Sequence, residues 1–292
     1  MKVTVAIATA GRREVLSETL EFLHKNIRDI DEIVICPARE NDVDRALLFE
    51  CFPNARIVTG DIGSSPQRNA IMDVVETDLV LFLDDDFLPA DDYIEETRRL
   101  FQSDPGIIAA TGHVIRDGII GPGLSTAEGI EVLEGLGPND AGGPDEIYNV
   151  YGCNMIIRVD LARQNNIRFD ENLPLYAWQE DLDFSRQLAP FGRIVIAPRL
   201  RGVHLGTKRS GRSPGKRLGY SQIANPIYLA TKGTLSWRRA VRLISRNIAS
   251  NAVKCARPEP WIDRRGRLWG NVIALGDLLL RRLDTRRVLD FE

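Results

Sequence analysis

Leu79-Val80-Leu81-Phe82-Leu83 is an unbroken apolar run that stops at three carboxylates, Asp84, Asp85 and Asp86. Apolar residues without alternation predict a strand covered on both faces, as in a parallel sheet. Such a strand needs helices above and below it, which constrains the layer architecture of the whole chain. In open α/β sheets, ligands collect beyond the carboxyl ends of the strands, where the acidic triplet falls. Three like charges there repel one another and are costly to bury unpaired. A divalent cation resolves the conflict. Hard oxygen donors suit Mg2+ or Mn2+, and such sites commonly share the ion with substrate phosphates. The strand end therefore points to a metal-bridged diphosphate.

The flanking pattern agrees. Lys2–Thr9, Glu32–Cys36, Ala55–Thr59 and Asp78–Leu83 read as strands. Helical spacing separates them: residues 14–26, with Val15, Leu16, Leu20 and Leu23 on one face; a helix capped by Asp42 and running to Cys51; and one capped by Ser64 or Ser65, with Pro66 in its first turn. The expected fold class is α/β: a mixed, mainly parallel sheet, Rossmann-like, with helices on both faces and a C-terminal helical region. Further on, the pattern predicts a helix over 91–102 opened by Pro89 and strands at Ile107–Val114, Tyr148–Arg158 and Arg193–Ala197, the last stopped by Pro198. It also predicts a helix at Trp178–Leu188. The stretch Asp117–Glu146 holds eight glycines and reads as a long functional loop with one short helix within 124–136. From Lys216 the chain reads as helices broken near Pro226, Pro258 and Pro260. The expected division is a catalytic unit over 1–205 and a basic loop plus helices over 206–292.

Charge divides the chain at nearly the same place. From Arg199 onward there are 21 Lys/Arg against 6 Asp/Glu, whereas the preceding part holds 17 against 35. A basic tail fits an anionic surface, either membrane or nucleic acid. Its arginines lack the interleaved aromatics that stack bases, so nucleic acid is not expected as a partner. Leu268–Leu280 is apolar but interrupted by Asn271 and Asp277, with Arg264, Arg265 and Arg267 before it and Arg281, Arg282, Arg286 and Arg287 after it. That suits a helix lying on anionic lipid, or one packed on the main domain with an arginine-rich outer face, better than a bilayer span. Cys36, Cys51, Cys153 and Cys255 form no CxxC pair and read as reduced thiols. With a strand pattern at the N-terminus, no signal peptide is expected. A cytoplasmic location is expected, with the inner membrane face as a candidate contact.

Four groups carry chemistry. Asp84, Asp85 and Asp86 suit a metal and a nucleotide ribose. Glu180, Asp181 and Asp183 open a helix, Glu180 and Asp183 sharing one face, and supply a carboxylate base with Trp178 as an aromatic platform. His204 follows a strand that could end near the acidic cluster, where imidazole joins carboxylates on Mn2+. Lys208, Arg209 and Arg212 lie in a glycine-rich loop suited to closing over a diphosphate, and Arg68 sits near a helix N-terminus, where anions bind.

These motifs, in this order, resemble the family 2 glycosyltransferases of the GT-A fold. Val5-Ala6-Ile7-Ala8-Thr9-Ala10-Gly11-Arg12 resembles that family's opening strand and turn, Gln67-Arg68-Asn69-Ala70 its Ala-Arg-Asn helix, and Leu83-Asp84-Asp85-Asp86 its DxD motif. Gly152-Cys153-Asn154-Met155 is similar to its acceptor-side strand and Glu180-Asp181 to its ED motif. The resemblance covers residues 3–205. It implies an inverting, metal-dependent transfer from a nucleotide-sugar, most commonly a UDP-sugar, to a saccharide or lipid-linked saccharide. Asp84 would touch the donor ribose and Asp86 the metal, with Asp85 also on the donor side and Asp84 and His204 as further candidate metal ligands. Thr9, Ala10, Arg12 and Arg68 would line the donor site, Asn154, Trp178 and Glu180 the acceptor site, and Asp181 would be the base. Ala10 replaces the usual tyrosine. The second strand ends Ile35-Cys36-Pro37-Ala38-Arg39-Glu40, without the family's acidic, serine-containing turn, leaving Glu40 or Arg39 as the candidate contact to the nucleobase.

Rival classes fit less well. A sugar-nucleotide pyrophosphorylase needs a glycine-rich loop after the first strand, and Thr9-Ala10-Gly11-Arg12 has one glycine. A haloacid-type phosphatase needs Asp-x-Asp-x-Thr, but Phe87-Leu88 follows Asp86.

Overall fold

A computed structural model describes residues 1–208 and 215–291. The chain begins β1 (Val3–Thr9), α1 (Arg13–Asn26), β2 (Glu32–Pro37), α2 (Arg45–Cys51), β3 (Arg56–Ile57), α3 (Ser64–Val74) and β4 (Leu79–Leu83). It continues with β5 (Phe87–Pro89), α4 (Tyr93–Ser103), β6 (Ile107–Asp117), α5 (Thr126–Glu134), β7 (Asp145–Glu146), β8 (Asn154–Arg158), α6 (Val159–Gln164), α7 (Glu180–Leu188) and β9 (Arg193–His204). Three helices follow: α8 (Gly215–Lys232), α9 (Trp237–Lys254) and α10 (Arg264–Leu279).

Among the described residues one mixed sheet runs β3-β2-β1-β4-β8-β6-β9-β5, with β7 on β9. The first four strands are parallel, β8 is antiparallel to both neighbours, and β6 is parallel to β9. Successive strand residues point to opposite faces, so β4 feeds two cores. Leu79, Leu81 and Leu83 join Leu16, Leu20 and Leu23 of α1 on one face. Val80 and Phe82 join Ile71 of α3 and Phe184 of α7 on the other. Double coverage is the physical reason the run carries no polar alternation.

Several element boundaries differ from the sequence reading. The cap of α2 is Asp44, which accepts from the Leu47 N–H at 3.2 Å, while Asp42 sits in a preceding 3-10 turn. Gly63 (φ +140°) precedes α3, and neither serine caps it. The Ser64 N–H instead donates to Leu175 O at 2.8 Å, tying α3 to the segment before α7. The residues after Asp86 form β5, not the run-in to a helix, so α4 starts only at Tyr93. Only Asn154–Arg158 of the expected Tyr148–Arg158 strand pairs. Pro198 does not stop β9. The pairing with β6 jumps from Gly112↔Ala197 to His113↔Arg201, and this bulge absorbs the missing N–H. Pro226 likewise lies inside a continuous α8, where burial of Tyr220, Ile223 and Leu229 offsets the lost backbone bond. Cys255 is only partly buried, and all four cysteines are free.

α8 and α10 cross through glycines. A β-carbon on Gly219 would lie 2.0 Å from Arg267 O, and one on Gly270 2.1 Å from Lys216 O. Both obstacles are backbone and cannot swing away. Gly219→Ala is therefore expected to lose at least about 1–3 kcal/mol in urea denaturation, the usual scale of overpacking. Wild-type stability would show that the helices can separate freely.

Candidate active site

Parallel β1 and β4 end side by side, which brings Thr9 and Arg12 to the acidic triplet. Asp85 turns toward them. It accepts from Thr9 Oγ1 at 2.6 Å and pairs with Arg12 at 2.9 Å. Arg12 also reaches Asp86 Oδ2 at 2.5 Å, which accepts from the Thr207 N–H at 2.8 Å. β5 then lies antiparallel to β9 with Phe87 opposite His204, so the imidazole stands beside Asp86.

His204 Nε2 is 3.4 Å from Asp86 Oδ1 and 3.9 Å from Asp84 Oδ2, and one ligand atom from each of the three residues falls within 4.8 Å of the others. On its other side, His204 Nδ1 is 2.8 Å from Asp117 Oδ1, and Asp117 Oδ2 accepts from the Tyr151 hydroxyl at 2.9 Å. Burial disfavours the imidazolium, but Asp117, Asp86 and Asp84 outweigh it and hold His204 at about 10. Burial likewise pushes Asp86 up, but His204 and Arg12 bring it below the ordinary carboxylate range. For Asp84 and Asp85, burial prevails over the nearby cations and raises both. Asp86 Oδ1 is buried without a hydrogen bond. A divalent cation between these groups would take the place of the Nε2 proton, and the neutral imidazole with the Asp86 and Asp84 carboxylates then makes a donor set that fits such an ion.

The base side is built on α3 and α7. Gln67 donates to Thr9 O at 2.9 Å and to Cys36 O at 2.6 Å, fixing the first turn of α3 over the strand ends. Next to it, buried Arg68 pairs with Glu180, reaches Asp84 Oδ1 at 3.4 Å and donates to Gly152 O at 3.1 Å. Asp181 accepts from the Gly152 N–H at 3.0 Å and the Leu182 N–H at 2.7 Å, one per oxygen, so each oxygen keeps a lone pair. Burial raises Asp181 despite these bonds. It raises Glu180 despite Arg68, with Asp181 adding to the rise. Before α7, Leu175, Ala177 and Gln179 all have positive φ. This strained segment places Trp178 against the cleft.

All of these groups line one cleft of about 680 Å3: Thr9, Ala10 and Arg12; Arg68; Asp84, Asp85 and Asp86; Trp178, Glu180 and Asp181; and His204. Other expected residues lie elsewhere. Asn154 is fully buried outside the cleft wall, where its Oδ1 accepts from Thr111 and from the Gly112 N–H. Its place on a central strand turns it to the sheet interior, so an acceptor contact is corrected to a structural one. Glu40 is exposed, and its neighbours Arg39 and Asp42 line the cleft, because the 3-10 turn brings Asp42 back to the Arg39 N–H at 3.1 Å. Lys208 donates to Ile119 O at 2.9 Å and is not in the wall, while Arg209 and Arg212 lie outside the described residues. Asp183 does not follow Glu180 into the cleft. It is buried against Lys232 Nζ at 2.7 Å and Thr234 Oγ1 at 2.6 Å, because the end of α8 packs there.

The sequence reading missed Asp117, Tyr151 and Arg217. No local signal marked Asp117: the strand was expected to end at Val114, and only the parallel register of β6 with β9 sets Asp117 opposite His204. Arg217 lines the cleft from the first turn of α8, and its guanidinium donates to Phe291 O at 2.9 Å.

The arrangement resembles known folds. S. aureus TarS matches with a TM-score of 0.52 and 18% identity over 77% of this chain, which spans only 40% of that longer protein. A shorter S. aureus TarS, residues 1–349 in complex with UDP-GlcNAc, matches with a TM-score of 0.59 and 15% identity over 99% of this chain and 83% of that one. The mannosyltransferase PcManGT from Pyrobaculum calidifontis, in complex with GDP-Man and Mn2+, gives 0.56 and 14% over 94% and 87%. No curated protein sequence matches significantly. The family model for glycosyl transferase family 2 matches residues 4–164, more than half of the chain. With its GT-A-like sheet and C-terminal helices, the chain belongs to glycosyl transferase family 2 and is a glycosyltransferase.

Proposed function

We propose that this glycosyltransferase moves a sugar from a UDP-sugar to a hydroxyl of a saccharide or lipid-linked saccharide, with inversion, in glycan or polysaccharide synthesis. One observation carries the reading. The cluster of Asp84, Asp86 and His204 and the carboxylate of Asp181 open onto the same cleft. Thr9, Arg39 and Asp42 lie on the side where β1 and β2 end and form the nucleoside wall. Asp84, Asp86 and His204 would hold a divalent ion, Mn2+ or Mg2+, which supplies neutralisation of the departing diphosphate. Asp181 takes the proton of the acceptor hydroxyl as that oxygen bonds to the anomeric carbon and the carbon–phosphate oxygen bond breaks. Glu180 stays paired with Arg68 and orients the start of α7. Trp178 offers its face to the acceptor sugar. No covalent nucleophile is needed, which is why a single displacement, and hence inversion, suits one base.

A thermal-shift panel of nucleoside diphosphates and nucleotide-sugars, with and without Mn2+, tests the donor side. UDP and UDP-sugars should raise the melting temperature most, and only strongly with the ion. A larger shift from GDP ligands would overturn the choice of base. An equal shift without Mn2+ would overturn the metal.

Asp117 has a positioning role in this reading. By holding His204 Nδ1 it aims Nε2 at Asp86, as carboxylates behind metal-binding histidines do. Asp117→Asn should weaken Mn2+ binding by about 10–100-fold in calorimetry while UDP binding without the ion is unchanged. Unchanged Mn2+ affinity would assign Asp117 to the fold alone.

A further inference from the structure

We propose that the outer face of α10 is a docking surface for an anionic lipid bilayer. The inner face of this helix is fixed. Gly270, Asn271, Ala274 and Asp277 are buried; Asn271 donates to Gly219 O at 2.6 Å, and Asp277 accepts from the Tyr220 hydroxyl at 3.0 Å and pairs with Arg282 at 2.7 Å. That rotation leaves Trp269, Val272, Leu275 and Leu279 facing out, 58, 49, 38 and 83% exposed. Their spacing of three to four residues is one helical stripe, roughly 15 Å long. Arg265 lies one turn before Trp269 on the same side, and Trp261 and Leu280 extend the apolar surface at either end, 37 and 64% exposed.

A contiguous apolar strip of this kind marks an interaction site, and charge selects the partner. Arg281 and Arg286 follow the stripe, and Arg238, Arg242 and Arg246 form an exposed row along α9. None of the five makes an ion pair among the described residues. A stripe of Trp, Val and Leu with exposed Arg265 before it and unpaired Arg281 and Arg286 after it matches acyl chains beneath anionic headgroups. None of the described helices is long and apolar enough to cross a bilayer, so the contact is peripheral. Its position serves the reaction. α10 packs on α8 at Gly219, and Arg217, two residues earlier, lines the cleft. α8 thus carries both a cleft-lining residue and the seat of α10, which on the proposed function would bring a lipid-linked acceptor to the same side of the chain as the cleft. Docking of α10 on lipid does not depend on which sugar is transferred or which residue is the base.

Flotation of the full chain with vesicles of phosphatidylcholine alone, or mixed with phosphatidylglycerol, tests it. The protein should float with the anionic vesicles only, and less at high salt. Trp269→Ser combined with Leu279→Ser should lower recovery roughly tenfold or more, and Arg281→Glu combined with Arg286→Glu at least roughly fivefold. Melting temperature and turnover on a soluble acceptor should not change in either variant. Equal recovery on both vesicle types, absence of flotation, or wild-type flotation of the Trp269/Leu279 variant would overturn the proposal. So would a wild-type dimer that the same variant converts to monomer, since the stripe would then be covered by a second copy.

Discussion

Asp181→Asn is expected to lower turnover by roughly 10²–10⁴, the usual scale for losing a general base, with donor affinity unchanged. The substitution is nearly isosteric. Its side-chain oxygen can still accept from one backbone N–H, while the amide group faces the other N–H and loses that bond, so the start of α7 is held mainly by Glu180–Arg68 and by packing. What disappears is a carboxylate that burial has made more basic than an ordinary aspartate. A base with a raised pKa is protonated, and idle, at pH values where a solvent-exposed aspartate is already ionised. Wild-type turnover should therefore fall on the acid side earlier than an exposed aspartate would allow, and the variant's residual turnover should not follow that limb. Near-normal turnover, or an acid limb identical in both proteins, would assign proton removal to another group.

Asp86→Ala is expected to remove the Mn2+-stimulated part of UDP binding in calorimetry, a larger loss than the roughly 10–100-fold typical of residues behind the ligands. Arg12 keeps Asp85 as a partner at 2.9 Å, so the turn after β4 retains a cross-link to β1. His204 keeps Asp117. The variant also loses the Arg12 contact at 2.5 Å and the Thr207 N–H bond at 2.8 Å, so a lowered melting temperature is expected alongside, and unchanged UDP affinity without Mn2+ is the control for an intact donor site. UDP affinity that still responds to Mn2+ as in the wild type would remove Asp86 from the site.

The acidic strand end was readable because it depends on one short segment: an apolar run with no alternation, followed at once by charge. Asp181 was readable only as one of a group, since helical spacing joined Glu180 to Asp183, whereas packing of α8 draws Asp183 away toward Lys232. Asp117 was not readable. It lies 87 positions from His204, and only the parallel pairing of β6 with β9 makes them neighbours. Asp42 lines the cleft and Glu40 does not, because a single 3-10 turn chooses between two carboxylates two residues apart. Pro198 and Pro226 were misread as stops for one reason. A local rule counts the lost hydrogen bond, but a bulge in one case and a buried helix face in the other remove or outweigh it. Asn154 shows that a matching motif places a residue on a strand without saying which side of the sheet it faces.

The single guanidinium of Arg68, shared between Asp84 and Glu180, means that the two ends of the cleft are not independently tunable. Any substitution that changes the charge at Asp84 redistributes the field felt by Glu180 and, through it, by Asp181. Attempts to re-engineer nucleotide preference at the tip of the fourth strand should therefore drag the pH optimum with them, even when no acceptor-side residue has been touched.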